Sequence, residues 1–470
     1  MHFWLSIACS SPEGDTLAPG PGVTDGATSD AEAEALFEEV LSFMQDEFDR
    51  EAVVGGALAV VFEGRLAWSA GVGVREMDGN EPVTADTLFN IASATKQFTA
   101  ATAMSLVDDG SLDLDSPVGA YVPYFGVASP YDPEAVTLRG LLSHTAAYPS
   151  SMVGKPDQSS YDLDDYFRNN PDQPLLVEPG EVWNYSNLGF SLASLAVQEA
   201  GGDDFPELVE SRVLGPVGMT SATMRARKAK RREFTYGHCM EYCDGELYVL
   251  DPTFYDSQIY WGQGGLWASA NDLGRWSEFL LHGDADVLSE QSRAEMLSPQ
   301  APTGSLPGSS YGLGLFVSDT FGPETVSHGG DNYGFRAQII LVPEEAFGVV
   351  VLVNSDWYYP GTIATHAASL FTTYEEPDWD ALTPDPAELQ ALVGSYADEI
   401  WWGSFEVTFV GGELRGNFVE AGSEETIYPS IGNGLYVWDG DDWTYATAWY
   451  DEGGVPEYLV TRGGVAVRVD

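Results

Sequence analysis

Apolar positions change their spacing several times along the chain, and each change marks an element. Apolar positions in residues 34–48, from Ala-Glu-Ala-Leu-Phe onward to Phe48, repeat at helical intervals. Gly56 to Phe62 is a continuous apolar run rich in Val and Ala; Glu63-Gly64 breaks it, and Leu66 to Val74 resumes. That pattern predicts two strands joined by a tight turn. Thr87 to Val107 predicts a helix entered after Asp86, and residues 161–212 alternate short loops with helical stretches. Residues 311–317, 334–342 and 347–354 predict three more strands. The two strand groups lie far apart in sequence, so the economical arrangement is one sheet fed from both ends of the chain with helices between. The expected class is therefore α/β in the broad sense (α+β).

The pattern changes again near 373–388, where Glu375-Glu-Pro-Asp-Trp-Asp380 is followed by Pro384 and Pro386. This predicts a linker. Beyond it Phe405 to Phe409 alternates strictly, Gly411-Gly412 breaks the run, and Leu414 to Phe418 follows. Gly434, Gly440, Gly453-Gly454 and Gly463-Gly464 punctuate further short segments, the pattern of a small antiparallel sandwich or barrel. The expected organisation is a tether at 1–33, a main domain at 34–372, a linker at 373–388 and a β-barrel at 389–470.

Charge narrows the functions open to such a chain. Among 470 residues, 73 are acidic and 20 basic, a net charge of −53. Binding a polyanion needs cationic surface, so nucleic acid and anionic membrane are excluded as partners. No apolar run reaches the ~20 residues of a membrane-spanning helix. The stretch Phe3 to Cys9 ends in Ala8-Cys9, like the end of a bacterial lipoprotein signal, with Cys9 as a possible lipid anchor and the charged leader upstream. Residues 10–33, rich in Ser, Gly, Pro and Asp, have too little apolar surface to fold. The other cysteines, Cys239 and Cys243, are open to three readings: a small loop disulfide, two free thiols, or metal ligands beside His238. Oligomeric state stays open.

The candidate chemistry starts from the scarcity of lysine: Lys96, Lys155, Lys228 and Lys230 are all there is. Lys96 sits among core-type residues in Phe89-Asn-Ile-Ala-Ser93-Ala-Thr-Lys96. Three residues apart, Ser93 and Lys96 project from one helical face. An apolar site makes a lysine easier to deprotonate, so Ser-x-x-Lys pairs a nucleophile with its activator. Two further segments join it: Tyr185-Ser-Asn187, and His328-Gly329-Gly330-Asp331 between predicted strands.

With these three motifs in this order, the chain resembles the serine β-lactamase and penicillin-recognising hydrolase superfamily. The resemblance is to the branch of class C β-lactamases, D-amino-acid peptidases and esterases. Thr87-Leu-Phe-Asn-Ile-Ala, Leu141-Leu-Ser-His-Thr145 and Gly264-Gly-Leu-Trp-Ala-Ser-Ala-Asn-Asp-Leu273 also resemble that superfamily, over residues 35–370. The resemblance implies an antiparallel sheet flanked by helices with an inserted helical subdomain, and a C-terminal lipocalin-like barrel. It implies an acyl-enzyme on Ser93, with Lys96 and Tyr185 moving the proton. The backbone N–H groups of Ser93 and Asp331 would hold the oxyanion. Asn187 would bond Lys96 and the substrate amide, His328 would bond Tyr185 or substrate, and Gly329 and Gly330 would keep the strand open for substrate. No cofactor and no metal are implied. The substrate would be a small molecule or peptide, and the location secreted or the bacterial envelope. The rival reading is a non-catalytic homologue that binds cell-wall fragments or a partner.

Some residues depart from this pattern or stand outside it. His328 occupies a position where such β-lactamases carry lysine, and a mostly neutral imidazole weakens capture of a β-lactam carboxylate. Arg336 reads as a surface arginine on a strand. Gly308-Ser-Ser310-Tyr-Gly312 matches Gly-x-Ser-x-Gly but lacks the strand-turn-helix setting that motif needs. His144 reads as a structural, hydrogen-bonding histidine. The basic cluster Arg225 to Arg232 reads as a face paired with the protein's own carboxylates. Trp401 and Trp402 read as core.

Overall fold

In the computed structural model, residues 30–469 are described apart from 129, 151–161, 244, 305–307, 376–385, 399–402, 411–412, 419–422, 430–433, 439–442, 451–455 and 462–464. Cys9, Lys155, Trp401 and Trp402 therefore lie outside the described residues.

The uninterrupted apolar runs become the inner strands of one sheet, because a strand covered on both faces has no polar side to show. Its strands in chain order are β1 (Gly55–Phe62), β2 (Arg65–Gly73), β3 (Ala301–Pro302), β4 (Ser309–Tyr311), β5 (Phe316–Ser318), β6 (Thr325–Asn332), β7 (Phe335–Val342) and β8 (Phe347–Val353). Every residue of β7 and β8 is buried. The spatial order is β2-β1-β8-β7-β6-β5-β4-β3, all antiparallel. The last strand thus pairs with the first, Gly56 opposite Val353, so strands from both ends of the main chain segment lie side by side in the sheet.

Helices cover both faces. On one, α1 (Asp30–Glu51) offers Phe37, Val40, Met44 and Phe48 to Leu58, Val60, Val349 and Val351, with a late helix (Gly361–Phe371) beside it. On the other lie the helices Lys96–Asp108 (α2), Asn187–Gly201 (α3) and Ala270–His282 (α4), and that late helix is α5. Ser269 caps α4 through a reciprocal bond with Asp272, a capping box that satisfies otherwise orphaned N–H groups. Among the described residues no helix is long and apolar enough to cross a membrane.

Three expected elements differ. The segment Thr87–Val107 is not one helix: Phe89–Asn90 pairs with Trp267–Ala268, a 3-10 turn follows at Ala92–Thr95, and α2 starts only at Lys96. Residues 311–317 are not one strand: the Gly312 N–H turns back to the Leu315 carbonyl, 2.7 Å away, between β4 and β5. Gly314 there has φ +77°, and a side chain on it would lie 2.7 Å from the Lys96 carbonyl, so only glycine fits. Helix also extends into both expected connectors, since α1 begins at Asp30 and a short helix spans Pro386–Ala391.

Beyond that short helix, eight strands, Gly394–Asp398, Gly403–Val410, Glu413–Phe418, Ser423–Pro429, Gly434–Trp438, Trp443–Tyr450, Pro456–Thr461 and Val465–Arg468, close an antiparallel ring. Leu389 and Leu392 pack with Tyr396, Phe405, Val407 and Leu459 inside its core. Outside it, Val460 and Val465 pack on Ala147, Leu176, Val177 and Val182, and the Tyr458 hydroxyl donates to Glu181 Oε2 at 3.1 Å.

Candidate active site

A 3-10 turn has three residues per turn, so side chains three apart stand one above the other. Ser93 and Lys96 span such a turn, and Lys96 Nζ lies 3.1 Å from Ser93 Oγ. Ala92, just before the serine, holds φ +47°, a left-handed conformation unusual for a residue with a side chain, and its N–H is held by Asn90 Oδ1 at 3.2 Å. Lys96 is wholly buried. Its Nζ also meets Asn187 Oδ1 at 2.8 Å and the Gln263 carbonyl at 2.9 Å. Asn187 is the first residue of α3, placed by Ser186, whose hydroxyl caps the helix on the Gly189 N–H. The ring of Tyr185 faces the same nitrogen, 4.8 Å from centroid to Nζ. Ser93, Lys96, Tyr185 and Asn187, from two separate stretches of sequence, thus meet at one point.

Strand β6 closes the other side. A Cβ on Gly330 would fall 2.0 Å from the Ile91 carbonyl, so a bare glycine lets the strand lie against the serine turn. The strand position after it is Asp331. Gly329 faces Gln338, whose Oε1 would be 3.1 Å from an added Cβ. His328 is buried, with Nδ1 2.6 Å from the Gly329 carbonyl and Nε2 2.9 Å from the Tyr311 hydroxyl. Its ring lies 6.5 Å from that of Tyr185.

Arg336 is not the surface residue its position suggested. It is 5% exposed, opposite Asp331 in the β6–β7 register. Its guanidinium pairs with Asp331 Oδ1 at 3.1 Å and Glu241 Oε1 at 3.0 Å. Two carboxylates on one cation leave it no charge to offer a substrate. Tyr242 adds a hydrogen bond to Asp331 Oδ2 at 2.6 Å. Glu241 and Tyr242 lie within the loop closed by the Cys239–Cys243 disulfide. The metal reading of those cysteines falls, since their sulfurs are joined and His238 is engaged with Met77 N–H and the Asn354 carbonyl. Among the described residues no cluster of three or more His, Cys, Asp or Glu side chains could hold a metal.

The sequence matches the family described as Beta-lactamase over residues 37–368. The chain belongs to that family. Protein flp of Staphylococcus aureus (strain COL) is 23% identical over 333 residues, 70% of this chain and 65% of that protein. A D-aminopeptidase of Gluconobacter oxydans (strain 621H) is 31% identical over 304 residues, 64% of this chain and 55% of that protein. The chain thus spans less than two thirds of either curated relative's length. The structure of the octameric penicillin-binding protein homologue from Pyrococcus abyssi has the same fold: TM-score 0.66, 23% identity, covering 92% of this chain and all of that one.

Within this Beta-lactamase-family fold, sequence reasoning missed Gln263 and Tyr311. Gln263 touches Lys96 through its backbone carbonyl, which no side-chain motif reveals, although Gly264-Gly265 beside it drew notice. Tyr311 lay in the Gly-x-Ser-x-Gly match and acts there as the partner of His328; Ser310 sits in a sheet strand with β5 following, not before a helix. The basic cluster is paired as expected, Arg225 with Asp204 and Glu207, Arg227 with Asp256, and Lys228 with Glu210.

Burial pushes the Asp331 carboxyl up to about 6, against the pull of Arg336 and Tyr242. Its folded-state value lies above the ordinary one, so between about pH 4 and 6 the folded chain holds a proton the unfolded chain has lost, and stability falls as pH rises through that window. Asp331→Asn is expected to flatten the fall, by at most about 3 kcal/mol, in denaturant unfolding followed from pH 4 to 7. An unchanged pH dependence would contradict this assignment.

Proposed function

We propose that the chain is a serine hydrolase that forms an acyl-enzyme on Ser93 and cleaves an amide or an ester. The observation that carries this reading is the wholly buried Lys96 Nζ, 3.1 Å from Ser93 Oγ and also in contact with two neutral oxygens. As a neutral amine, Lys96 has two N–H donors for Asn187 Oδ1 and the Gln263 carbonyl. Its lone pair is then left for the Ser93 hydroxyl. Burial generally disfavours the charged ammonium, which makes such a lysine a base.

Ser93 Oγ attacks the substrate carbonyl while Lys96, with Tyr185 beside it, takes the hydroxyl proton. The oxyanion sits between the backbone N–H groups of Ser93 and Asp331. As the tetrahedral intermediate collapses, the proton passes to the departing amine or alcohol. Water then attacks the acyl-enzyme, gives its proton to the same base, and releases the acid and Ser93. Asn187 holds the base and offers its amide to the substrate.

For the substrate, the name of the Gluconobacter relative supports a D-amino-acid peptide, and the chemistry suits a carboxyl ester equally. Both ring nitrogens of His328 are engaged, by the Tyr311 hydroxyl and the Gly329 carbonyl, and Arg336 is held by two carboxylates, which supports a poor fit for a β-lactam carboxylate. The C-terminal ring of strands, residues 389–470, reads as a lipocalin-like domain joined at 373–388 to the hydrolase domain at 34–372. The disulfide supports an oxidising location, secreted or in the bacterial envelope, with Cys9 as lipid anchor. A non-catalytic binding homologue is the competing function.

A panel of D-alanyl and L-alanyl p-nitroanilides, p-nitrophenyl butyrate and a chromogenic cephalosporin separates these. The expected result is turnover of the D-anilide or the ester, with kcat/KM at least about tenfold above the cephalosporin. Folded protein that turns over none of them favours the binding homologue.

A further inference from the structure

The reading above gives Tyr185 a proton to move, and something must hold that side chain over Lys96. Tyr185 follows a loop, precedes a helix cap and belongs to no strand, so its position comes from its neighbours. Both neighbouring N–H groups end on one residue. The Asn184 N–H donates to the His144 carbonyl at 2.8 Å, and the Ser186 N–H donates to His144 Nδ1 at 3.0 Å. Between these two bonds the imidazole lies against the Tyr185 ring, centroids 4.3 Å apart and planes 37° from parallel. The other walls of the imidazole's pocket are Phe190 at 4.9 Å, Tyr311 at 4.8 Å and Trp183, edge-on, at 5.8 Å.

Two further facts show that the site is built for this ring. His144 is 1% exposed and holds φ +63°, a left-handed conformation that a residue with a side chain adopts at a cost. That turn carries the carbonyl and the ring nitrogen of one residue to the N–H groups on either side of Tyr185. The pairing continues outward: the Gly180 N–H donates to the Thr145 carbonyl at 2.8 Å and the Leu176 N–H to the Ala147 carbonyl at 2.9 Å. The Tyr185 segment is thus fastened along its length to residues 144–147, with His144 at the catalytic end.

We propose that His144 is the positioning residue for Tyr185, clamping the peptide on either side of it and bracing its ring. This rests on the reading of Tyr185 as a proton carrier, and it makes a demand that reading does not. Nδ1 must be an unprotonated acceptor, because a backbone N–H is what it binds. Asparagine can meet that demand, since its Oδ1 takes the place of Nδ1 and it tolerates the left-handed backbone. Glutamine places its polar end near Nε2 and cannot, while leucine fills the space with no acceptor at all.

The test compares His144→Asn, His144→Gln and His144→Leu with the parent, with Tyr185→Phe alongside, all in the full-length protein. Hydrogen exchange of the peptide spanning residues 183–190 is read first, because it needs no activity. The expected order is parent and Asn slow, Gln and Leu at least about tenfold faster. On the substrate turned over best, kcat is expected to fall about 100-fold for Leu and Gln with KM little changed, and within about fivefold for Asn. Equal exchange in the parent and His144→Leu overturns the clamp whether or not the protein is active. So does a Leu variant with parental kcat while Tyr185→Phe is crippled. Parental activity in Tyr185→Phe, with exchange still ordered as expected, leaves the clamp standing and refutes the role given to the tyrosine.

Discussion

Ser93→Ala is expected to lower kcat/KM by about 10⁴-fold or more, because nucleophile and base act as a unit and loss of either removes the covalent path. The fold should hardly notice. Ser93 Oγ is hydrogen-bonded to Lys96, and Lys96 keeps Asn187 and Gln263 when that oxygen is removed. One hydrogen bond is worth about 1 kcal/mol of stability, so thermal unfolding should shift by only a few degrees. Steady-state kinetics and a melting curve on the same sample check both halves. A variant that keeps a tenth of parental activity would require another nucleophile.

Lys96→Met should be comparably damaging to activity, about 10³-fold or more, but for another reason. Methionine matches the length of the lysine stem and adds no charge, so packing in the wholly buried site survives. It leaves Asn187 Oδ1 and the Gln263 carbonyl without their donor, at about 1–3 kcal/mol each. It also removes the cost of holding an amine in an apolar site, a term of opposite sign. The two nearly cancel, so activity is lost with little change in unfolding free energy, as expected where a functional site is not optimised for stability. Lys96→Arg is the sharper control. Arginine keeps a cation but cannot give up its proton near neutral pH, so it should fail to restore activity. Rescue by arginine would mean that charge, not proton transfer, is what the position supplies.

Much of this was legible in the sequence, for identifiable reasons. The inner strands announced themselves because β7 and β8 are covered on both faces and can carry no polar alternation. Ser93 and Lys96 stood out because lysine is scarce and a polar pair among core residues needs a reason. The Tyr185 and His328 segments followed by resemblance. What stayed hidden depends on backbone geometry set by distant contacts. Local pattern favours a helix from Thr87, yet Phe89–Asn90 is drawn into pairing with Trp267–Ala268, and Gly330 pressed against Ile91 leaves room only for a tight turn. Gln263 acts through a carbonyl, which every residue has. Arg336 looked exposed because a lone arginine in a strand usually is; its partners Glu241 and Asp331 come from a disulfide loop and a neighbouring strand. His144 read correctly as a hydrogen-bonding histidine, but the left-handed turn that aims it at Ser186 has no signature in the residue itself.

The central claim is that Ser93 is an activated nucleophile. Incubating the full-length protein with a fluorophosphonate probe, beside Ser93→Ala, and mapping the adduct by mass spectrometry tests it most directly. The account predicts a single adduct on Ser93 in the parent and none in the variant. An adduct on Ser310 or elsewhere, or none on folded parent protein, would contradict it.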